Sequence, residues 1–286
     1  MMKHKYFKKL EEQIFFGLMK LATVTILFGL LFILFTILWK GIPNLSWEMI
    51  SQKPQGGFYM GGGGGILNAI CGSLLLGLGA TIFGLTLSIP IVIWLNIYAS
   101  QYSRNAVIVR TALDMLWGIP SIVFGAFGFI IMLALGIKAS LLAGIVTLTL
   151  LILPIMVRGM DEVIKTIPKE LHESTLSLGA TRWEMATKVI LRKALPGIVT
   201  ATLLGFGRAI GDAAAVMFTA GFTDNIPQKL TDPVASLPLS IFFQLGSPFE
   251  IVRGRAYAAA LVLTIIILVI SFLSRLITAK YQKHSR

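Results

Sequence analysis

The chain has 286 residues, 56% of them hydrophobic and 13% charged, with a net charge of +12. A soluble domain carries roughly 25% charged residues, so side chains this apolar cannot be hidden in one aqueous core, and the solvent must be lipid. The single cysteine, Cys71, excludes an intrachain disulfide framework and a cysteine-rich metal centre. It reads as a small apolar residue facing lipid or core.

The basic N-terminus, MMKHKYFKKL, precedes an apolar run. A cleaved signal peptide would show an apolar region of ~7–15 residues followed by small residues. Leu21 to Trp39 is uncharged throughout and Lys40 follows, so a retained first membrane helix is expected. Apolar runs of about 20 residues mark membrane helices. Six are expected, over about 14–39, 66–98, 111–137, 139–157, 195–223 and 256–274. Gly72, Gly77, Gly79, Gly84 and Pro90 interrupt the second, and such glycines suit close helix packing. The fold class is therefore an all-α membrane protein with six transmembrane helices in one domain over 14–280. Short tails occupy 1–13 and 281–286.

Lysine and arginine set the orientation. With the N-terminus inside, 18 of them fall on cytoplasmic segments and 6 outside, and Arg208 lies within the membrane. The bias predicts that both termini are cytoplasmic. It also turns the +12 charge toward the membrane face rather than toward nucleic acid.

Two external segments are expected, 40–65 and 224–255. The first holds Gly56-Gly57 and the run Gly61 to Gly65, read as a flexible lead-in to the second span. A backbone nest for an anion would need a strand or helix context that this run lacks. No Gly-Lys dipeptide occurs, so there is no Walker A motif and the chain does not bind ATP in that way. The second segment, with Pro227, Pro233, Pro238 and Pro248, reads as irregular with a short helix at 237–245.

Charge concentrates in a cytoplasmic loop, 158–195. Thr166 and Pro168 fit a helix start, and Ile167, Leu171, Thr175 and Leu178 share one face. Gly179 is a left-handed stop, and Thr181 with Glu184 forms a capping box for a second helix, expected to run to about Lys193. Trp183, Ala186 and Ile190 read as one stripe on that helix, and Pro196 as the entry into the fifth span. A DNA-binding helix–turn–helix is disfavoured because the pair is pinned between two membrane spans. An amphipathic linker resting on the headgroups is the plainer alternative.

In the fifth span Arg208 and Asp212 are four residues apart on one face. Burying either alone costs at least about 2.5 kcal/mol. They read either as an ion pair locking the span to its neighbours or as part of a transport pathway. Asp114 lies near a membrane boundary, interfacial or paired with Arg110 one turn back. His4, His172 and His284 are scattered and have no metal-ligand neighbours.

The spacing of Glu173, Gly179, Ile190-Leu191 and Leu195-Pro196-Gly197 resembles the EAA loop of ABC importer permeases. The resemblance extends to Gly118 to Gly125, Leu178 to Trp183, Gly207 to Asp212, Ser236 to Pro238 and Ala256 to Leu263, over roughly 60–280. In this combination it is similar to the phosphate-specific permeases, and to the second of the two that work as a pair. Ser174 and Thr175 replace the two alanines, Arg192 replaces the usual proline, and Asp212 replaces a glutamate.

The resemblance implies the type I ABC importer fold and a permease subunit, itself not an enzyme, that moves inorganic phosphate into a prokaryotic cell across its plasma membrane. It implies ATPase coupling through Glu173, Leu178, Gly179, Ala180, Thr181 and Trp183. It implies four partners: a second related permease, a dimer of ATPase subunits carrying ATP and Mg²⁺, an extracytoplasmic phosphate-binding protein, and membrane lipid. Arg208 would line the phosphate path and Asp212 would tune it. The alternatives are an ABC permease for another oxyanion or nutrient, and an ion-coupled secondary transporter with Asp212 as proton site. The second lacks the internal repeats such folds carry.

Overall fold

The computed structural model describes residues 2–99 and 103–283, and every named element among them is helical. His284 lies outside the described residues, as does the side chain of His4. The chain runs through α1 (Met2–Gly41), α2 (Trp47–Ser51), α3 (Leu67–Ile93) and α4 (Arg104–Trp117), then α5 (Ser121–Leu135), α6 (Leu141–Lys165) and α7 (Lys169–Ser177). A continuous helix, α8 (Arg182–Ile210), follows, then α9 (Leu237–Leu245) and α10 (Glu250–Lys283). Five of these are long and apolar enough to cross a membrane, and α4 with α5 makes a sixth if the bent pair counts as one span.

α3, α6 and α8 build the main core, with Leu76, Ile152, Met156, Ile198 and Ala201 buried between them. Small residues let the backbones close. Met156 lies between Gly84 of α3 and Gly205 of α8, where an added methyl group would come within 3.0 and 2.9 Å of its sulfur. The glycines of α3 thus serve the close packing expected of them.

Three expectations need correction. The apolar run 111–137 is not one straight helix: α4 and α5 meet at 103°. Ile119 precedes Pro120, which disfavours helical dihedrals there, and Gly118 loosens the same turn. The fifth span does not reach 223, because α8 ends at Ile210 and 211–236 is irregular. Nor is there a break between the loop helix and that span. α8 passes through Pro196, with wider π-type bonding at Met185–Ile190, and Arg192 lies within the unbroken helix.

The glycine-rich segment is folded rather than a loose lead-in. Gln55 N–H donates to the Gly63 carbonyl at 3.3 Å, and Ile66 N–H to the Met49 carbonyl at 2.8 Å. Gly65 lies against the Met49 carbonyl with no room for a side chain. Phe58 is buried beneath the Arg255 guanidinium, which stands 4.5 Å from the ring centre and donates to the Phe58 carbonyl at 2.9 Å. Met49, Phe58, Leu237 and Ala258 form a second core that ties this segment to α9 and α10. The expected helix at 237–245 is present as α9.

The irregular stretch after α8 is buried, with Ala215, Val216, Ala220, Val234 and Ala235 fully covered. Gly72 of α3 meets the Ala235 carbonyl directly, and a Cβ at Gly125 of α5 would lie 2.8 Å from the Ala214 carbonyl oxygen. Gly72→Ala is therefore expected to destabilise the fold by about 1–3 kcal/mol through overpacking. Gly56→Ala, where nothing lies within 4 Å, leaves stability unchanged. Thermal unfolding of the two purified variants in detergent checks the contrast.

Candidate functional site

The loop between α6 and α8 is assembled by local chemistry. Pro168 precedes α7, and Gly179 ends the turn after it at φ +83, in the left-handed region. Thr181 N–H donates to a Glu184 carboxylate oxygen at 3.1 Å, and Glu184 N–H donates to Thr181 Oγ1 at 3.2 Å. This reciprocal cap fixes the start of α8. Lys188 holds Glu184 from one turn on, at 2.9 Å.

The result is a rigid tip with apolar residues outside. Leu178 is 88% exposed and Trp183 59% exposed, beside Gly179 and a half-buried Ala180. Glu173 is exposed on α7. The expected stripe of Trp183, Ala186 and Ile190 is split, because Ala186 and Ile190 are buried. The π-type widening at Met185–Ile190 falls between Trp183 and Ile190, so the 3.6-residue spacing that joins them in the sequence does not hold there.

Arg208 and Asp212 do meet. Arg208 Nη2 lies 3.2 Å from Asp212 Oδ2, with the Arg208 side chain 48% exposed and that of Asp212 3% exposed. The other Asp212 oxygen accepts the Ala215 N–H at 2.8 Å. Asp212 thus ends α8 and starts the irregular stretch, while most guanidinium donors of Arg208 remain free to face outward.

A second charge cluster was not anticipated as a unit. Asp161, on α6, has a fully buried side chain. It accepts from Asn96 Nδ2 at 2.9 Å, from Arg110 Nε and Nη2 at 3.1 Å each, and from Arg158 Nη1 at 3.2 Å. Lys165 Nζ stands 2.7 Å away. Arg110 also donates to the Leu95 carbonyl at 3.2 Å. Asp114 pairs with Arg158 at 2.7 Å rather than with Arg110. One carboxylate therefore joins the end of α3, the middle of α4 and the end of α6. The i, i+3 and i+4 spacing of Arg158, Asp161, Glu162 and Lys165 was the available signal. It could not name Arg110 or Asn96, which arrive from other helices.

The family model for the binding-protein-dependent transport system inner membrane component matches residues 88–283. This chain belongs to that family. The matched span contains the α7–α8 tip, the Asp161 cluster and the Arg208–Asp212 pair. Relatives in the family include the phosphate transport system permease protein PstA of Yersinia pestis, 36% identical over 92% of this chain and 89% of that protein. The PstA of Pasteurella multocida is 33% identical over 98% of this chain and 99% of that one. Among solved structures, an inward-facing methionine ABC transporter, MetNI, superposes with a TM-score of 0.62 over 76% of this chain and 95% of that chain. At 22% identity it establishes the shared fold. The chain is thus a membrane permease of the ABC importer type.

Removing the buried carboxylate leaves Arg110 and its companions without their acceptor. Asp161→Ala is expected to destabilise the permease by about 3–5 kcal/mol. Asp114→Ala, at a half-exposed partner, is expected to cost under about 1 kcal/mol. Denaturation midpoints of the two variants in one detergent check this ordering.

Proposed function

We propose that this chain is a transmembrane subunit of an ATP-driven importer of inorganic phosphate. The reading rests on membership of the importer permease family and on the phosphate permeases that cover nearly its whole length. Both termini and the α7–α8 tip face the cytoplasm, in keeping with the lysine and arginine bias. The tip, with Glu173, Leu178, Gly179, Ala180, Thr181 and Trp183, docks on one of two ATPase subunits, and those subunits bind ATP and Mg²⁺. A second, related permease completes the pore. An extracytoplasmic phosphate-binding protein delivers substrate to 40–65 and 224–255.

One observation carries the coupling mechanism: Arg182–Ile210 is a single helix from the tip to Arg208. Arg208 follows Trp183 by 25 residues, about 37 Å at 1.5 Å per residue. A push on the tip is therefore delivered to the middle of the membrane by one rod, in the rigid-body class of switching. Arg208 offers forked donors to an oxyanion that has shed water. Asp212 holds one side of that fork and tempers its pull, so phosphate binds weakly enough to leave.

Arg208→Ala is expected to lower phosphate uptake in cells about tenfold or more, the size of one lost charge-assisted contact, while the complex still assembles. Normal uptake with a fully assembled complex would remove Arg208 from the path. Gly179→Val forces a branched residue into the left-handed region at a cost of roughly 1–2 kcal/mol. Less ATPase should then co-purify with the permease, and undiminished recovery would show that the tip is not the docking point. Stimulation of vanadate-sensitive ATP hydrolysis by phosphate, and not by sulfate, in the reconstituted complex tests the substrate.

A further inference from the structure

A groove of about 410 Å³ opens between α7 and the stretch of α8 that leads into the membrane. Lys188, Arg192 and Lys193 line it together with Leu195 and Pro196 of the same helix, and Leu171 joins them from α7. Lys188 is already held by Glu184. Arg192 and Lys193 are exposed, and among the described residues neither has a carboxylate within 4.0 Å. The groove therefore carries two cations that no carboxylate among the described residues pairs with.

Its depth separates it from the docking tip. Arg192 follows Trp183 by nine residues, about 14 Å along the helix axis. From Leu195 to Phe206 no charged residue occurs. The cations thus stand where α8 enters the membrane, with the apolar wall on the same groove. Basic pockets beside transmembrane helices at the cytoplasmic surface suit anionic headgroups. A purely acidic protein segment would satisfy the cations but leave Leu171, Leu195 and Pro196 against its polar groups. A phospholipid satisfies both sides at once.

We propose that this groove is a binding site for an anionic phospholipid, with the headgroup phosphate on Arg192 and Lys193 and the glycerol and upper acyl chain along Leu171, Leu195 and Pro196. The leaflet assigned to it rests on the cytoplasmic orientation proposed above. Because Leu171 belongs to α7 and the cations to α8, the bound lipid bridges the two helices and steadies the docking tip against the membrane.

The test is native mass spectrometry of the full purified chain in detergent, titrated with phosphatidylglycerol and separately with phosphatidylcholine of the same acyl chains. The unmodified chain is expected to prefer phosphatidylglycerol. The preference should fall about fivefold in Arg192→Gln or Lys193→Gln, and about 25-fold in the double variant, at roughly one near-surface charge each. Arg192→Lys should retain it, as should Arg182→Gln, which removes an exposed cation of the same loop outside the groove. Equal binding of the two lipids, an unchanged preference in the double variant, or an equal loss with Arg182→Gln would overturn the proposal. Displacement of phosphatidylglycerol by excess inorganic phosphate would also overturn it, by making the groove a free-phosphate site. So would a double variant that keeps its lipid preference but no longer captures the ATPase. Both side chains are exposed, so the double variant should melt with the unmodified chain; if it does not, the single variants carry the comparison. The detergent titration is indifferent to leaflet, so an error in orientation is read separately, by thiol labelling of the Lys193→Cys variant in intact cells.

Discussion

Five polar atoms from four residues, Asn96, Arg110, Arg158 and Lys165, converge on the Asp161 carboxylate, and that convergence sets how the base of the bundle is built. A bare carboxylate taken out of water costs several kcal/mol, and one partner would not offset it. The forked contact from Arg110 fixes α4 in direction as well as position, because a guanidinium meets a carboxylate in one plane. With α4 held across the ends of α3 and α6, the chain must turn at Gly118-Ile119-Pro120 to send α5 back along the bundle. The bend of 103° follows from that anchor together with proline chemistry. α6 leaves the same cluster at Lys165 and enters α7 four residues later. The α7–α8 tip is therefore mounted on a stapled base and not on a free loop.

The other end of α8 faces a different constraint. A backbone that leaves helical geometry where water cannot reach it must find its hydrogen bonds within the protein. The stretch 211–236 does so piece by piece. Ser140 N–H donates to the Thr219 carbonyl, Val234 N–H to Ala220, Leu141 N–H to Asp232, and the Asn68 amide to Thr223. Ser73 Oγ receives the Leu237 N–H at 2.7 Å. Asp212 opens the stretch by accepting the Ala215 N–H. Its carboxylate thus has an architectural task, and Arg208 is the member of the pair with donors to spare.

Between these two fixed regions runs α8. A loop helix and a membrane helix joined by a flexible connection would absorb a push. One helix does not, and Arg182–Ile210 is unbroken even with a proline and a π-type stretch in it. The same continuity sets Arg192 and Lys193 on the rod between the tip and the uncharged stretch Leu195 to Phe206.

Hydropathy alone determined that the chain lives in lipid, that it is helical, and where four of its spans lie, because burying ~20 apolar residues in hydrocarbon needs no partner's consent. Local chemistry likewise determined the Gly179 stop, the Thr181–Glu184 cap and the short helix at 237–245, since each is written within a few neighbouring residues. Only the tertiary structure decided that 111–137 is bent, that helix stops at Ile210, and that the glycine run folds around Phe58. It also decided that Asp161, and not Asp114, receives Arg110. Each of these depends on groups distant in sequence arriving at one point, such as Arg110 meeting Asp161 or Gly72 meeting Ala235. A periodicity read along one segment has no access to what will pack against it.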